Sequence, residues 1–336
     1  MEDKMKLRLT SAEMSMLWAQ YMNDTASVCV LSHFSQKAED EEAASIIQYA
    51  LTGSKSNIAF LQELFMKENF PVPHGFKEEE DVQADSPRLF SDTYATIYLR
   101  NMSLLGMTAG SVSLGLVTRP DIVRFFKNVL KTSVGLQDLT RDLMLKEGTY
   151  IKLPYISTPD EGDCVDKQRF LSDFFGEKRP LTALEITMLF NNIQTNSIGK
   201  TLIIGFAQTA QDSEVKQYFL RGRKIAQKHI DIFSDILKKE DLPAPMTWDT
   251  AVSDTTEPVF SDKLMMFHVS AMIASGIGNY GASMSGSPRY DLGFRYASLI
   301  PEIALYAEDG ANIMIKNSWL EEPPQSDPRE RLIKGE

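Results

Sequence analysis

Apolar residues recur at helical spacing in eight long stretches of this chain, and the polar residues between them read as caps and connectors. Met14, Leu17, Trp18, Tyr21, Met22 and Val28 fall three and four apart, which places them on one face of a first helix. Ile46, Ile47, Ala50, Leu51, Ile58, Leu61, Leu64 and Phe65 form a second stripe. Pro71-Val72-Pro73 ends that helix, because proline lacks an N–H and disfavours helix in the residue before it. Ser91 followed by Asp92 predicts the start of a third helix, the aspartate suiting its positive end. No strand-length run alternates with period two, and no tight hairpin signal is present.

The pattern then repeats. Leu9-Thr10-Ser11-Ala12-Glu13 returns 172 positions later as Leu181-Thr182-Ala183-Leu184-Glu185, and Met16-Leu17 as Met188-Leu189. Lys67-Glu68-Asn69-Phe70-Pro71-Val72-Pro73 returns as Lys239-Glu240-Asp241-Leu242-Pro243-Ala244-Pro245. Beyond that the offset becomes 170: Phe90-Ser91-Asp92 matches Phe260-Ser261-Asp262, and Arg119 with Asp121 matches Arg289 with Asp291. The loop before Phe260 has lost two residues, as loops tolerate. Each copy opens on a capping box, Thr10 with Glu13 and Thr182 with Glu185, which satisfies N–H groups that the first turn leaves orphaned. The last helix is expected to begin at Ser287-Pro288.

Four long helices with short connectors imply antiparallel neighbours. The expected architecture is therefore all-α: two tandem antiparallel four-helix bundles, over residues 7–148 and 181–320. Residues 149–180 form the connector, with a short helix expected over Asp166–Phe175, and residues 321–336 a frayed tail. Val72 to Leu89 is long enough to cross over along its bundle, and the two bundles are expected to pack as a pseudo-dimer.

LTxxE at a helix start, the E-x-x-P-x-P helix stop (Glu68, Pro71, Pro73; Glu240, Pro243, Pro245) and FSD at a helix start resemble the domain of unknown function 3231. The resemblance runs over nearly the whole chain, twice. It implies a ferritin-like bundle, a setting in spore-forming Gram-positive bacteria and a weak similarity to spore-coat proteins. It implies no activity, because the family has no established one.

Composition narrows the function classes. The formal net charge of −11 argues against nucleic-acid partners, which need a basic face, and against docking on anionic membranes. No stretch approaches 18 apolar residues, so no membrane span is expected. Two cysteines, Cys29 and Cys164, and a start without an apolar h-region point to a cytoplasmic protein.

A ferritin-type metal centre needs inward Glu and Glu-x-x-His sets. Neither copy has a Glu-x-x-His. His229, His268 and Glu302 are the candidate ligands that remain, with Glu308 on the same helix as Glu302. The first copy has Asn57 and Tyr98 where the second has the two histidines. Gly276-Ile277-Gly278-Asn279-Tyr280-Gly281 fits a dinucleotide fingerprint by letter but lies in a helix, where close packing explains glycine better, as at Gly106, Gly110 and Gly115. Asn23-Asp24-Thr25 and Thr195-Asn196-Ser197 interrupt the first helix of each copy, facing either solvent or a buried polar layer. Arg119 with Asp121, and Arg289 with Asp291, read as structural ion pairs. No catalytic serine or cysteine arrangement is evident, and no residue set calls for a cofactor. The expectation is a non-enzymatic structural or interaction protein, acting through a protein partner or self-association, in sporulation or stress. The alternatives are a metal-carboxylate oxidoreductase or storage protein, and a small-ligand binder using a bundle cavity.

Overall fold

The computed structural model describes residues 8–162, 164–171, 179–326, 329 and 333. Helix α1 (Ser11–Lys37) starts at the first capping box: Thr10 Oγ1 accepts from Glu13 N at 3.2 Å, and the Glu13 carboxylate accepts from Thr10 N at 2.9 Å. Helix α2 (Glu41–Lys67) is capped by Asp40, and a single turn, α3 (Glu78–Asp81), follows in the crossover. Helix α4 (Asp92–Leu116) is capped by Ser91. Helix α5 (Pro120–Glu147) ends at Gly148, whose φ of 71° is the left-handed geometry that glycine adopts freely. The second copy repeats the plan in α6 (Ala183–Thr209), α7 (Ser213–Lys238), α8 (Asp262–Ser285) and α9 (Tyr290–Lys316). The fold is all-α, two tandem four-helix bundles built from the hairpins α1–α2, α4–α5, α6–α7 and α8–α9.

The two bundles meet through their crossovers, and they do so reciprocally. Val82 bridges Phe260, and Phe90 bridges Val252. At the offset of 170, Val252 is the counterpart of Val82 and Phe260 that of Phe90, so exchanging the copies exchanges the two bridges. The flanking bonds obey the same rule: Gln83 N to Val259 O and Ser253 N to Leu89 O, both 2.9 Å, then Ser91 N to Ala251 O at 3.0 Å and Ser261 N to Asp81 O at 2.9 Å. Helix α1 meets α8, and α4 meets α6. The contact is a pseudo-two-fold, isologous interface inside one chain.

Its centre is apolar. Phe34, Phe90, Tyr94 and Tyr98 belong to one buried cluster with Ile198, Leu202, Phe206 and Phe260 of the second copy. Tyr94 Oη donates to the Ile198 carbonyl at 2.8 Å across the junction. Each bundle keeps a further core at its far end, around Leu17, Phe65 and Phe126 in one and Leu189, Phe233 and Tyr296 in the other.

Two local expectations change. Helix α9 begins at Tyr290, not at Ser287-Pro288. Ser287 Oγ instead donates to the Ser283 carbonyl at 2.7 Å and closes α8, while Arg289 N is taken by Glu185. In the connector, the described residues form one 3-10 turn, Gln168–Phe170. Phe174 and Phe175 of the expected short helix lie outside the described residues, as does most of the tail after 326.

Phe260 packs edge-on against Phe206 and against His33 of the other copy. Phe260→Ala is expected to cost about 3–5 kcal/mol. Hydrogen exchange should show protection falling in α1 and α4 as well as in α6 and α8; loss confined to the second copy would contradict a shared core.

Candidate functional site

The repeated motifs converge on one end of each bundle. Glu13 Oε1 accepts from the backbone N–H of Thr118 at 3.1 Å and of Arg119 at 2.9 Å, while Oε2 serves the capping box. Arg119 then pairs with Glu68 at 3.1 Å and Asp121 at 2.7 Å. In the second copy Glu185 accepts from Arg289 N at 3.1 Å and pairs with Arg179 at 2.8 Å, and Arg289 pairs with Glu240 at 2.8 Å and Asp291 at 2.9 Å. Burial works to raise the Glu13 carboxyl, but these backbone donors outweigh it and hold it at about 2. LTxxE, E-x-x-P-x-P and R-x-D are therefore three parts of one clasp that ties α1 to the ends of α2 and α5, and α6 to those of α7 and α9. Asp92 and Asp262 act similarly at the other end, accepting from the backbone N–H groups of 39 and 40, and of 211 and 212.

Mid-bundle, the copies differ. In the second, Asn196 Nδ2 donates to Tyr280 Oη at 2.9 Å, and Tyr280 Oη lies 2.8 Å from His229 Nδ1. His229 Nε2 is 2.9 Å from Glu302 Oε2, and Lys228 Nζ donates to both Glu302 oxygens at 2.9 and 3.0 Å. Burial lowers the His229 pKa, so the ring is neutral, with Nε2–H donating to Glu302 and Nδ1 accepting from tyrosine. Burial works to raise the Glu302 carboxyl, yet the His229 and Lys228 bonds outweigh it and hold it below the usual range. Only 80 Å³ of cavity remains beside these groups, lined by Asn192, Thr195, Asn196, Asn279, Tyr280 and mostly apolar neighbours.

His229 and Glu302 are thus brought together, but His268 is not with them; it faces the cavity of the other bundle. This donor set does not fit a metal ion. Both His229 nitrogens are engaged, and Lys228 occupies the carboxylate that a cation would need. Among the described residues no group of three or more His, Cys, Asp or Glu is placed to hold one. The glycine fingerprint lies inside the unbroken helix α8. Close packing explains Gly106, where a Cβ would sit 2.5 Å from Ser133 Oγ, but not Gly115, Gly276 or Gly278, which have open space there.

The first copy carries smaller side chains at the matching places. Asn57 stands for His229, Gly110 for Tyr280 and Thr132 for Glu302. Gly110 packs on Leu130, whereas Asn57 and Thr132 line a cavity of 240 Å³ between α1, α2, α4 and α5, closed on one side by His268, Ala271 and Met272 of α8. It lies between the far-end core and the shared core, so the polar interruption in α1 is a real interior layer. Asn23 and Asp24 both line the cavity; Asn23 is exposed, whereas Asp24 is only 5% exposed. Gln20 Nε2 donates to Asp24 Oδ2 at 2.8 Å. Burial pushes the Asp24 carboxyl up to about 7, against hydrogen bonds from Gln20, Ser54 and Asn57. His268 is 8% exposed. Burial lowers it to about 4, against a backbone hydrogen bond to Ala26, and among the described residues its Nε2 has no protein partner. One signal in the sequence marks Asp24 as interior: it is in phase with Leu17, Tyr21 and Val28, all buried.

The fold retains the Asp24 proton that the unfolded chain loses near pH 4. The stability this contributes is complete below pH 4 and is lost as pH rises to about 7. His33 and His268, both lowered to about 4 mainly by burial, act oppositely: their share is complete above their ordinary pKa and is lost as pH falls to about 4. The acid's share is therefore read as a difference. Asp24→Asn should gain stability over the wild type progressively from pH 4 to 7, reaching roughly 2–4 kcal/mol, and stay level above that. Urea denaturation of both proteins across this range checks it, and a pH-independent difference would count against it.

No curated protein matches this chain significantly. Among solved structures, a "putative spore coat protein" from Bacillus halodurans C-125 is similar at 16% identity, covering 45% of this chain and 98% of its own, with a TM-score of 0.39. The family described as "Protein of unknown function (DUF3231)" matches residues 2–161 and again residues 169–332. The two matches take in both bundles and both clasps, and the chain belongs to this family.

Proposed function

We propose that this is a non-enzymatic binding protein whose first bundle holds a small molecule in its mid-bundle cavity. The observation that carries this reading is the 240 Å³ cavity itself, with the Asp24 carboxyl and the unpartnered His268 Nε2 on its walls. A cavity of about 150 Å³ already accepts benzene, so this one has room for a substituted ring. Small residues of two helices lie on its walls, Ala50, Gly53 and Ser54 of α2 and Gly106 and Ala109 of α4.

The second copy supports the same reading by contrast. There His229 and Glu302 stand where Asn57 and Thr132 line the first cavity, and only 80 Å³ remains. Among the described residues, the groups facing the first cavity are suited to recognition: a carboxyl, amides, hydroxyls and one neutral imidazole. Resemblance to a family of spore-forming bacteria supports a setting in sporulation or stress, and a cytoplasmic place of action belongs to the same reading. Among the described residues no helix is long and apolar enough to cross a membrane.

The full-length protein, heated with benzyl alcohol or with benzylamine, should unfold at a higher temperature with at least one of them. At a hundredfold excess over Kd the gain is about 2.7 kcal/mol. Ser27 lines the cavity and is half-buried, so Ser27→Phe should occupy the space and remove the gain. Failure of both compounds to stabilise, or an unchanged gain in the variant, would overturn the cavity as a binding site.

A further inference from the structure

We propose that the ligand of the first-bundle cavity is a primary amine carrying a small apolar body, held by its ammonium group on Asp24. This rests on the cavity being a binding site and adds the chemistry of what it takes.

The polar walls offer lone pairs where they are unsatisfied. Asp24 carries two carboxylate oxygens with about four acceptor sites; Gln20, Ser54 and Asn57 supply its hydrogen bonds. His268 adds a second acceptor. Its hydrogen bond to the Ala26 backbone occupies one nitrogen, and Nε2 is left bare. A guest that complements such walls is a donor. The ammonium group is all donor, with three N–H and no acceptor.

Charge points the same way. Among the described residues no lysine or arginine lines the cavity, and the imidazole is neutral, so the Asp24 carboxylate has only neutral donors there. A buried carboxylate without a counter-charge is costly. A cation in the cavity removes that cost, and a charge-assisted hydrogen bond is about twice as strong as a neutral one. A carboxylate guest would instead meet like charge.

Shape excludes a bare metal ion and sets the rest of the guest. One carboxylate and one imidazole are too few ligands for a metal, and 240 Å³ is far more than an ion fills. Leu31, Leu99, Met102, Val129, Leu136 and Met272 form the remaining wall, against which an aromatic ring or short alkyl chain buries its surface.

Isothermal titration of the full-length protein at pH 7.5 with benzylamine, benzyl alcohol and benzoate tests this. The three share a ring and differ in charge. Benzylamine is expected to bind at least about tenfold tighter than benzyl alcohol, a difference of about 1.4 kcal/mol, with benzoate the weakest. Asp24→Asn keeps the side-chain shape and removes the charge. It should erase the amine preference while changing benzyl alcohol affinity by less than about threefold. Asp24→Ala provides the same comparison should the amide variant fail to fold. Benzyl alcohol or benzoate binding as tightly as benzylamine, or an amine preference that survives the loss of Asp24, would overturn the amine and leave the cavity a binding site. No heat from any of the three would overturn the binding site itself.

Discussion

The reciprocal pairing of the two crossovers is the contact on which the rest of this molecule depends. Between α2 and α4, and between α7 and α8, the chain leaves the long helices and needs partners for its backbone groups where they are buried. Each copy supplies them to the other: Gln83 and Ser91 donate to Val259 and Ala251, and Ser253 and Ser261 donate to Leu89 and Asp81. A single copy would leave these donors and acceptors unmatched beside an uncovered face of Phe34, Phe90 and Tyr98. Duplication in one chain fixes the partner permanently. Because the pairing follows a two-fold relation, one sequence pattern serves both sides.

That junction also builds the cavity. Four of its walls come from the first bundle, but the fifth is α8, which the docking brings against α1, with the His268 ring 6.5 Å from that of Tyr98. His268 reaches the first bundle for this reason. Its counterpart Tyr98 lines the same cavity from α4. Symmetry thus places positions 98 and 268 near each other at the junction, and the difference between tyrosine and histidine gives the cavity a bare ring nitrogen on the side contributed by the second copy.

Much of the fold was legible because its determinants are local. Thr10 with Glu13, Thr182 with Glu185, the proline stops and the serine caps each act within a turn or two, and they placed the long helices. The start of α9 was misplaced because Ser287 serves the helix before it, a choice made by the distant Glu185 taking Arg289 N. The crossover bridges left no trace, since pairing so short creates no alternation. His268 stands apart from His229 and Glu302 for a related reason: sequence puts it in the second copy, whereas the docking places it on the cavity of the first. Asp24 was visible only through its phase with Leu17, Tyr21 and Val28, and the exposed Asn23 beside it hides that signal.

Position 24 and its counterpart 196 make the sharpest contrast between the copies. Both lie mid-bundle on the opening helix, yet one is an acid and the other its neutral amide. Asn196 is satisfied by Tyr280 Oη and by the Asn192 carbonyl, and a carboxylate there would face an oxygen it could not accept from. Asp24 has amide and hydroxyl donors that would serve an asparagine carbonyl as well, at no desolvation cost for charge. A fold selected only for packing therefore favours the amide at both places. The acid stands in the copy with the 240 Å³ cavity, whose wall also carries the His268 imidazole, and the amide in the copy where 80 Å³ remains. Charge and volume vary together, as they would if both were set by a guest.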